Sequence, residues 1–127
     1  MDSKQLGNFG ENIASEYLKN KGYKILDKNY LKELSAVSKG EIDIVVKRDK
    51  IISFVEVKTI AFAAGGGYLP EDKVDFRKQR QLIKLAQMWL SGKKIPLDSK
   101  WQIDVISIKV NLNSKKAKIM HFENAVC

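Results

Sequence analysis

Leu6, Phe9, Ile13 and Tyr17 recur at helical spacing near the start of the chain. With Ser3 as a cap before them and Gly22 as a stop behind, they predict a first helix. Gly7 and Gly10 are poor helix formers inside that pattern, and point to a close approach by another backbone, an apolar partner or a ligand. A short extended segment at 23–26 follows, and residues 29–39 carry no clean period and read as a loop. Two runs rich in β-branched residues, 41–47 and 51–58, flank Arg48, Asp49 and Lys50 and predict a hairpin. The stretch AFAAGGGYLPED, 61–72, is too rich in glycine for a regular element and predicts a mobile loop placed to act as a flap. Leu82, Leu85, Ala86 and Trp89 mark a second helix over 71–90, ended by Gly92 with Pro96 beyond. Residues 101–110 form a strand by composition, and a turn at 111–115 leads to a short last strand at 117–122. The order αβββαββ describes an α/β fold, a mixed central sheet flanked by helices. With no linker or repeat, the 127 residues read as a single domain, 1–127.

Charge narrows the partner. The chain has 23 Lys and Arg against 15 Asp and Glu, a formal charge of +8, and so attracts polyanions. Nucleic acid is the favoured class, although many small basic proteins use lysines only for solubility. The single cysteine, Cys127, allows no disulfide framework and no thiolate zinc site within the chain, which fits a reducing cytoplasm. The opening residues lack the apolar core of a signal peptide, and no apolar run approaches a membrane span. The expectation is a cytoplasmic protein with no membrane partner.

The hairpin carries the chemistry. If Asp49 and Lys50 are its two loop residues, 48 pairs with 51, and Asp43 therefore faces Glu56 and Glu41 faces Lys58. Alternation then places all four side chains on one face. Opposed carboxylates repel unless a cation, a proton or a strong donor offsets them, and Mg²⁺ suits such a pair because it takes oxygen ligands. Lys58 lies two residues beyond Glu56, about 6.7 Å along the strand, where it can orient or activate an attacking water and steady a phosphate under attack. The alternative is a surface salt-bridge ladder. Against it stand Ile42, Ile44, Val45, Val46, Phe54, Val55 and Val57, which make both strands apolar on much of both faces, as in central strands covered by helices.

Glu11 adds a third acid. It shares a flank of the first helix with Ala14 and Leu18, whereas Glu16 keeps company with Asn12, Lys19 and Asn20. On the second helix Lys73, Arg77, Arg80 and Lys84 form a basic stripe suited to phosphates, while Lys78 and Gln79 lie on the side of Leu82, Ala86 and Trp89, from which they can project toward the acids.

GEID at 40–43, FVEVK at 54–58, LGNFGENIASEYLKNKGY from 6 and KQRQLIKLAQMWL from 78 resemble the small bacterial proteins of the UPF0102, or YraN-like, family, over about residues 6–108. That family is similar to the PD-(D/E)xK, restriction-endonuclease-like nucleases, close to archaeal Holliday junction resolvases. The resemblance implies a three-layer nuclease core and a metal-dependent endonuclease using Mg²⁺ or Mn²⁺. Its helix glutamate matches Glu11, its aspartate Asp43, and its Glu-x-Lys pair Glu56 and Lys58. Asp43, Glu56 and Glu11 are then the metal ligands. It also matches Lys78 and Gln79 to a Lys-Gln pair and Asp104 to a late-strand aspartate. The substrate implied is DNA, at branched or junction structures, and the junction-resolving analogy favours a homodimer. Thr59 and Ile60 stand where many relatives have an arginine, and the segment before GEID is longer than usual. The runner-up function is a nucleic-acid-binding protein that keeps the fold without turnover.

Overall fold

The computed structural model describes residues 2–36, 38–62, 75–96 and 98–126. The elements are α1 (Ser3–Asn20), β1 (Lys24–Ser35), β2 (Ser38–Arg48), β3 (Ile51–Phe62), α2 (Phe76–Gly92), β4 (Trp101–Asn111) and β5 (Ala117–Phe122), in the predicted αβββαββ order. The five strands form one sheet in the order β1-β2-β3-β4-β5. β3 and β4 run parallel, as a crossover through α2 requires, and every other neighbouring pair is antiparallel.

Both helices start at an aspartate. Asp2 caps α1 in place of the expected Ser3, because its carboxylate accepts from the backbone of Gln5 while the Gln5 side chain accepts from the Asp2 amide. Asp75 caps α2 by accepting from Lys78 N. The second helix is thus described from Phe76. The expected helical residues 71–74 and the glycine-rich flap from 63 onward lie outside the described residues, as do Lys73 and Cys127.

The sheet separates two apolar layers. Ala14 and Leu18 of α1 pack on Ile44, Val46, Val55, Ile106, Ile108 and Val110. Leu82, Leu85, Ala86, Trp89 and Leu90 of α2 pack on the other side with Ile42, Val45, Phe54, Ile103 and Val105. Strands buried on both faces explain the nearly continuous apolar runs in β2, β3 and β4.

The β2–β3 hairpin has the predicted register, from Arg48↔Ile51 to Ile44↔Val55. Asp49 and Lys50 take positive φ of 53° and 67°, which matches a two-residue turn whose twist follows that of the strands. The expected loop at 29–39 is corrected: β1 extends through Ser35 and pairs with β2 to its first residue. Its period is obscured because register shifts fall between Ile25 and Asp27 and between Glu33 and Ser35, and because Asn29 is left-handed at φ 53°. As an edge strand, β1 also carries solvent-facing charge that a buried strand would not.

Gly10 accounts for how closely α1 approaches. A Cβ at that position would fall within the Thr59 side chain of β3, whereas one at Gly7 would meet nothing, so only Gly10 marks a contact. Gly10→Ala is expected to lower stability by about 1–3 kcal/mol through overpacking, against its gain in helix propensity. Thr59→Ala added to it should recover part of the loss. Urea denaturation of the single and double variants checks this, and a stabilised Gly10→Ala protein contradicts the packing.

Candidate metal centre

β2 and β3 pair only as far as Ile44↔Val55 among the described residues, although β2 begins at Ser38 and β3 continues to Phe62. The acids gather where the strands part. Asp43 takes the place of the next ladder partner, its Oδ2 accepting from Val57 N at 2.7 Å. Strand β2 also changes faces here. Ile42 belongs to the α2 layer and Ile44, two residues on, to the α1 layer, so strict alternation fails at Asp43. The predicted single face for Glu41, Asp43, Glu56 and Lys58 is therefore replaced by a split in the sheet, open to groups from both layers.

From the α1 layer comes Glu11. One ligand oxygen each from Glu11, Glu41 and Asp43 lie within 4.8 Å of one another. Asn29 of β1 ties two of them, donating from Nδ2 to Glu11 Oε1 at 2.9 Å and to Glu41 Oε1 at 2.8 Å. From β3 comes Glu56, buried at 8% exposure and hydrogen-bonded to Asp43. From the α2 layer comes Lys78, whose Nζ lies 3.2 Å from Glu56 Oε2. Lys58, half-buried, follows Glu56 by two residues on the same strand.

The electrostatics follow from this crowding. Burial, the hydrogen bond to Glu56 and the charges of Glu56 and Glu11 push the Asp43 carboxyl up to about 9, against the opposing pull of the Val57 amide. The direction favours a proton held by the Asp43–Glu56 pair when no cation is present. The oxygen-only donor set, with three carboxylates within 4.8 Å of one another and a fourth hydrogen-bonded to Asp43, fits a hard divalent cation that would take the proton's place.

The sequence-derived residues fall into three groups. Glu11, Asp43 and Glu56 are brought together, with Lys78 on Glu56 and Lys58 alongside in β3. Arg77, Arg80 and Lys84 lie exposed on α2, and Gln79 is half-buried. Asp104 is elsewhere. It is fully buried and receives Gln102 Nε2 at 2.9 Å and Asn124 N at 2.9 Å, with His121 Nε2 at 2.8 Å. His121 Nδ1 meets the Tyr17 hydroxyl at 3.2 Å, so this network ties α1 to β4 and β5 rather than serving the acids. Two participants escaped the ligand set drawn from sequence. Glu41 was placed near the pair but not among the ligands, and Asn29 fell in a presumed loop. The Asn29 side chain gives no sequence signal, since its role depends on a left-handed backbone at the edge of the sheet.

Residues 10–108 match the family model described as Uncharacterised protein family UPF0102. A UPF0102 protein of Alkaliphilus oremlandii is 42% identical over 123 residues, covering 97% of this chain and 98% of the relative. One from Clostridium botulinum strain 657 is 37% identical over 126 residues, covering 97% and 94%. The chain belongs to the UPF0102 family. Among solved structures, SfsA of Pyrococcus furiosus in complex with Ca²⁺ aligns at a TM-score of 0.38 and 20% identity, over 99% of this chain and 65% of that one.

A raised carboxyl has a sign. The stability that Asp43 contributes is fully present below its ordinary value of 3.8 and is lost as pH rises through about 9, since the folded state binds the proton more tightly than the unfolded chain. Asp43→Asn keeps an acceptor for Val57 N and a donor toward Glu56 without the titration. It is expected to stabilise the metal-free protein by about 1 kcal/mol or more at alkaline pH and to flatten the decline. Thermal denaturation across pH checks this, and equal pH dependence in both proteins would contradict the shared proton.

Proposed function

We propose that this member of the UPF0102 family is a metal-dependent nuclease that hydrolyses phosphodiester bonds in DNA, with branched or junction structures as its favoured class. The observation that supports the reading most is the convergence of Glu11, Glu41 and Asp43 within 4.8 Å, with Glu56 bonded to Asp43 and Lys58 two residues on. Glu11, Asp43 and Glu56, joined by Glu41, would hold Mg²⁺ or Mn²⁺. A bound divalent ion supplies Lewis acidity toward the phosphodiester and makes water a better nucleophile.

The chain's own residues divide the remaining work. Lys58 cannot ligate a hard cation through its ammonium, so it acts on the attacking water or on the negative charge that develops at phosphorus. Lys78 neutralises Glu56 while the proton remains on Asp43, and is close enough to engage a substrate phosphate once Glu56 has another partner. Arg77, Arg80 and Lys84 present an exposed basic face that positions a backbone without reading bases. A subunit pair suits a four-way junction, whose two-fold symmetry it would match.

A second reading has one observation in its favour. Lys78 and the Asp43 proton already offset two of the acids, so the cluster can be tolerated in a protein that binds nucleic acid without turnover. The two readings part on the behaviour of Lys58.

Linear, single-stranded, flapped and four-way DNA incubated with Mg²⁺, Mn²⁺ or EDTA should show metal-dependent cleavage by the wild type. Asp43→Ala is expected to lose metal binding and cleavage together. Lys58→Ala should retain metal and DNA binding while turnover falls about a hundredfold to a thousandfold. Wild-type protein that binds metal and DNA but cuts nothing, with Lys58→Ala indistinguishable from it, establishes the non-catalytic reading instead. Because the cation must displace a proton, its affinity should rise by up to about tenfold per pH unit below the Asp43 transition, with net proton release in calorimetry in two buffers. Arg77→Ala with Arg80→Ala should flatten the salt dependence of DNA binding by about one unit per lost contact, and an unchanged slope removes that face from the interface.

A further inference from the structure

The end of β4, the β4–β5 turn and the start of β5 carry three lysines outside the acid centre, Lys109, Lys116 and Lys118. Lys109 of β4 is directly opposite Lys118 of β5, and its partner on the other side is Ile60 of β3. Ile108, Val110 and Ile119 face the α1 layer, so Lys109 and Lys118 project to the other face, the one on which Glu56 meets Lys78. A cavity of about 250 Å³ opens here, and the described residues that line it, Phe62, Lys109, Asn111, Ser114, Lys116, Ala117 and Lys118, include three cations and no acid. Lys109 is only 8% exposed, whereas Lys116 and Lys118 are exposed. A concavity of one sign with partly desolvated walls concentrates the field.

Its position relative to the acids gives it meaning. Lys58 is paired with Ser107, and the next row on the same face is Ile60, Lys109 and Lys118. That row is two residues, about 6.7 Å, further along β3 than Lys58. A nucleic-acid strand carries one phosphate per about 3.4 Å of duplex axis, so a strand lying along β3 past the acid centre brings a neighbouring phosphate to this cavity.

We propose that the cavity between the end of β3 and the β4–β5 hairpin is a phosphate subsite. It holds the nucleic-acid backbone on one side of the bond at the acid centre, with Lys116 and Lys118 as the exposed contacts and Lys109 as the buried one. The proposal rests on the nuclease reading for its substrate, but not on turnover or on metal.

Binding in EDTA separates the two. Fluorescently labelled single-stranded and duplex oligonucleotides are titrated with wild-type protein, with Lys116→Ala/Lys118→Ala, and with Lys19→Ala/Lys24→Ala as a basic control on α1 and β1. The hairpin variant should bind about tenfold more weakly at moderate salt, with the slope of log affinity against log salt reduced by roughly 0.7–0.9 for each lost contact. The control should keep most of its slope. Both altered lysines are exposed, and a thermal midpoint equal to wild type shows that folding is intact. If wild type binds and the hairpin variant matches it in affinity and slope, the subsite is wrong and the nuclease reading stands. If the control loses as much as the hairpin variant, the effect is net charge alone and the subsite is wrong. If wild type binds neither oligonucleotide even at low salt, the nucleic-acid reading itself fails, and this subsite with it.

Discussion

Four carboxylates meet at the place where β2 and β3 separate, and their repulsion sets the terms for the groups around them. Each nearby donor relieves part of it. Val57 N donates to Asp43, the Asn29 amide bridges Glu11 and Glu41, and the Lys78 ammonium sits on Glu56. What remains pushes the Asp43 carboxyl upward, because burial and neighbouring anions disfavour loss of its proton. A cluster assembled only for stability would not be made this way, since apolar side chains of similar volume would avoid the desolvation of so many acids.

The two apolar layers make that convergence possible. α1 reaches the sheet closely enough for Glu11 to join the β2 acids because Gly10 leaves room for Thr59. α2 comes down on the opposite face over Phe54 and Val105, and Gly40 leaves space for Leu85 at the start of β2. Asp43 stands at the crossing of the layers, where Ile42 points to one core and Ile44 to the other. An acid centre fed from both sides of a sheet needs such a crossing.

Much of this was legible in the chain itself. The separation of Arg48 and Ile51 by a two-residue turn fixed the β2–β3 register, and with it the nearness of Asp43 and Glu56. Helical spacing placed Glu11 inward and Lys78 on the core side of α2. What was not legible came from backbone irregularity. The left-handed Asn29 and two register shifts hid β1 in an apparent loop, and the reversal of faces at Asp43 broke the alternation on which the four-residue face was drawn. Period-2 reasoning assumes an undisturbed pleat, and this site is built where the pleat is disturbed. The N-cap fell one residue early for a local reason: Asp2 and Gln5 can bond reciprocally.

The distribution of charge across the sheet extends the same logic. The acids are drawn together by strand geometry at one point, while the lysines of the β4–β5 hairpin stand one row beyond Lys58 on the face shared with Glu56. A field with a negative well bordered by positive walls suits a polyanion only if a cation fills the well, because otherwise the acids repel the phosphate that the lysines attract. Under the proposed function, metal and nucleic acid would therefore assist each other at this surface. The coupling needs no conformational change, since each ligand removes the charge that opposes the other, and linkage makes it reciprocal.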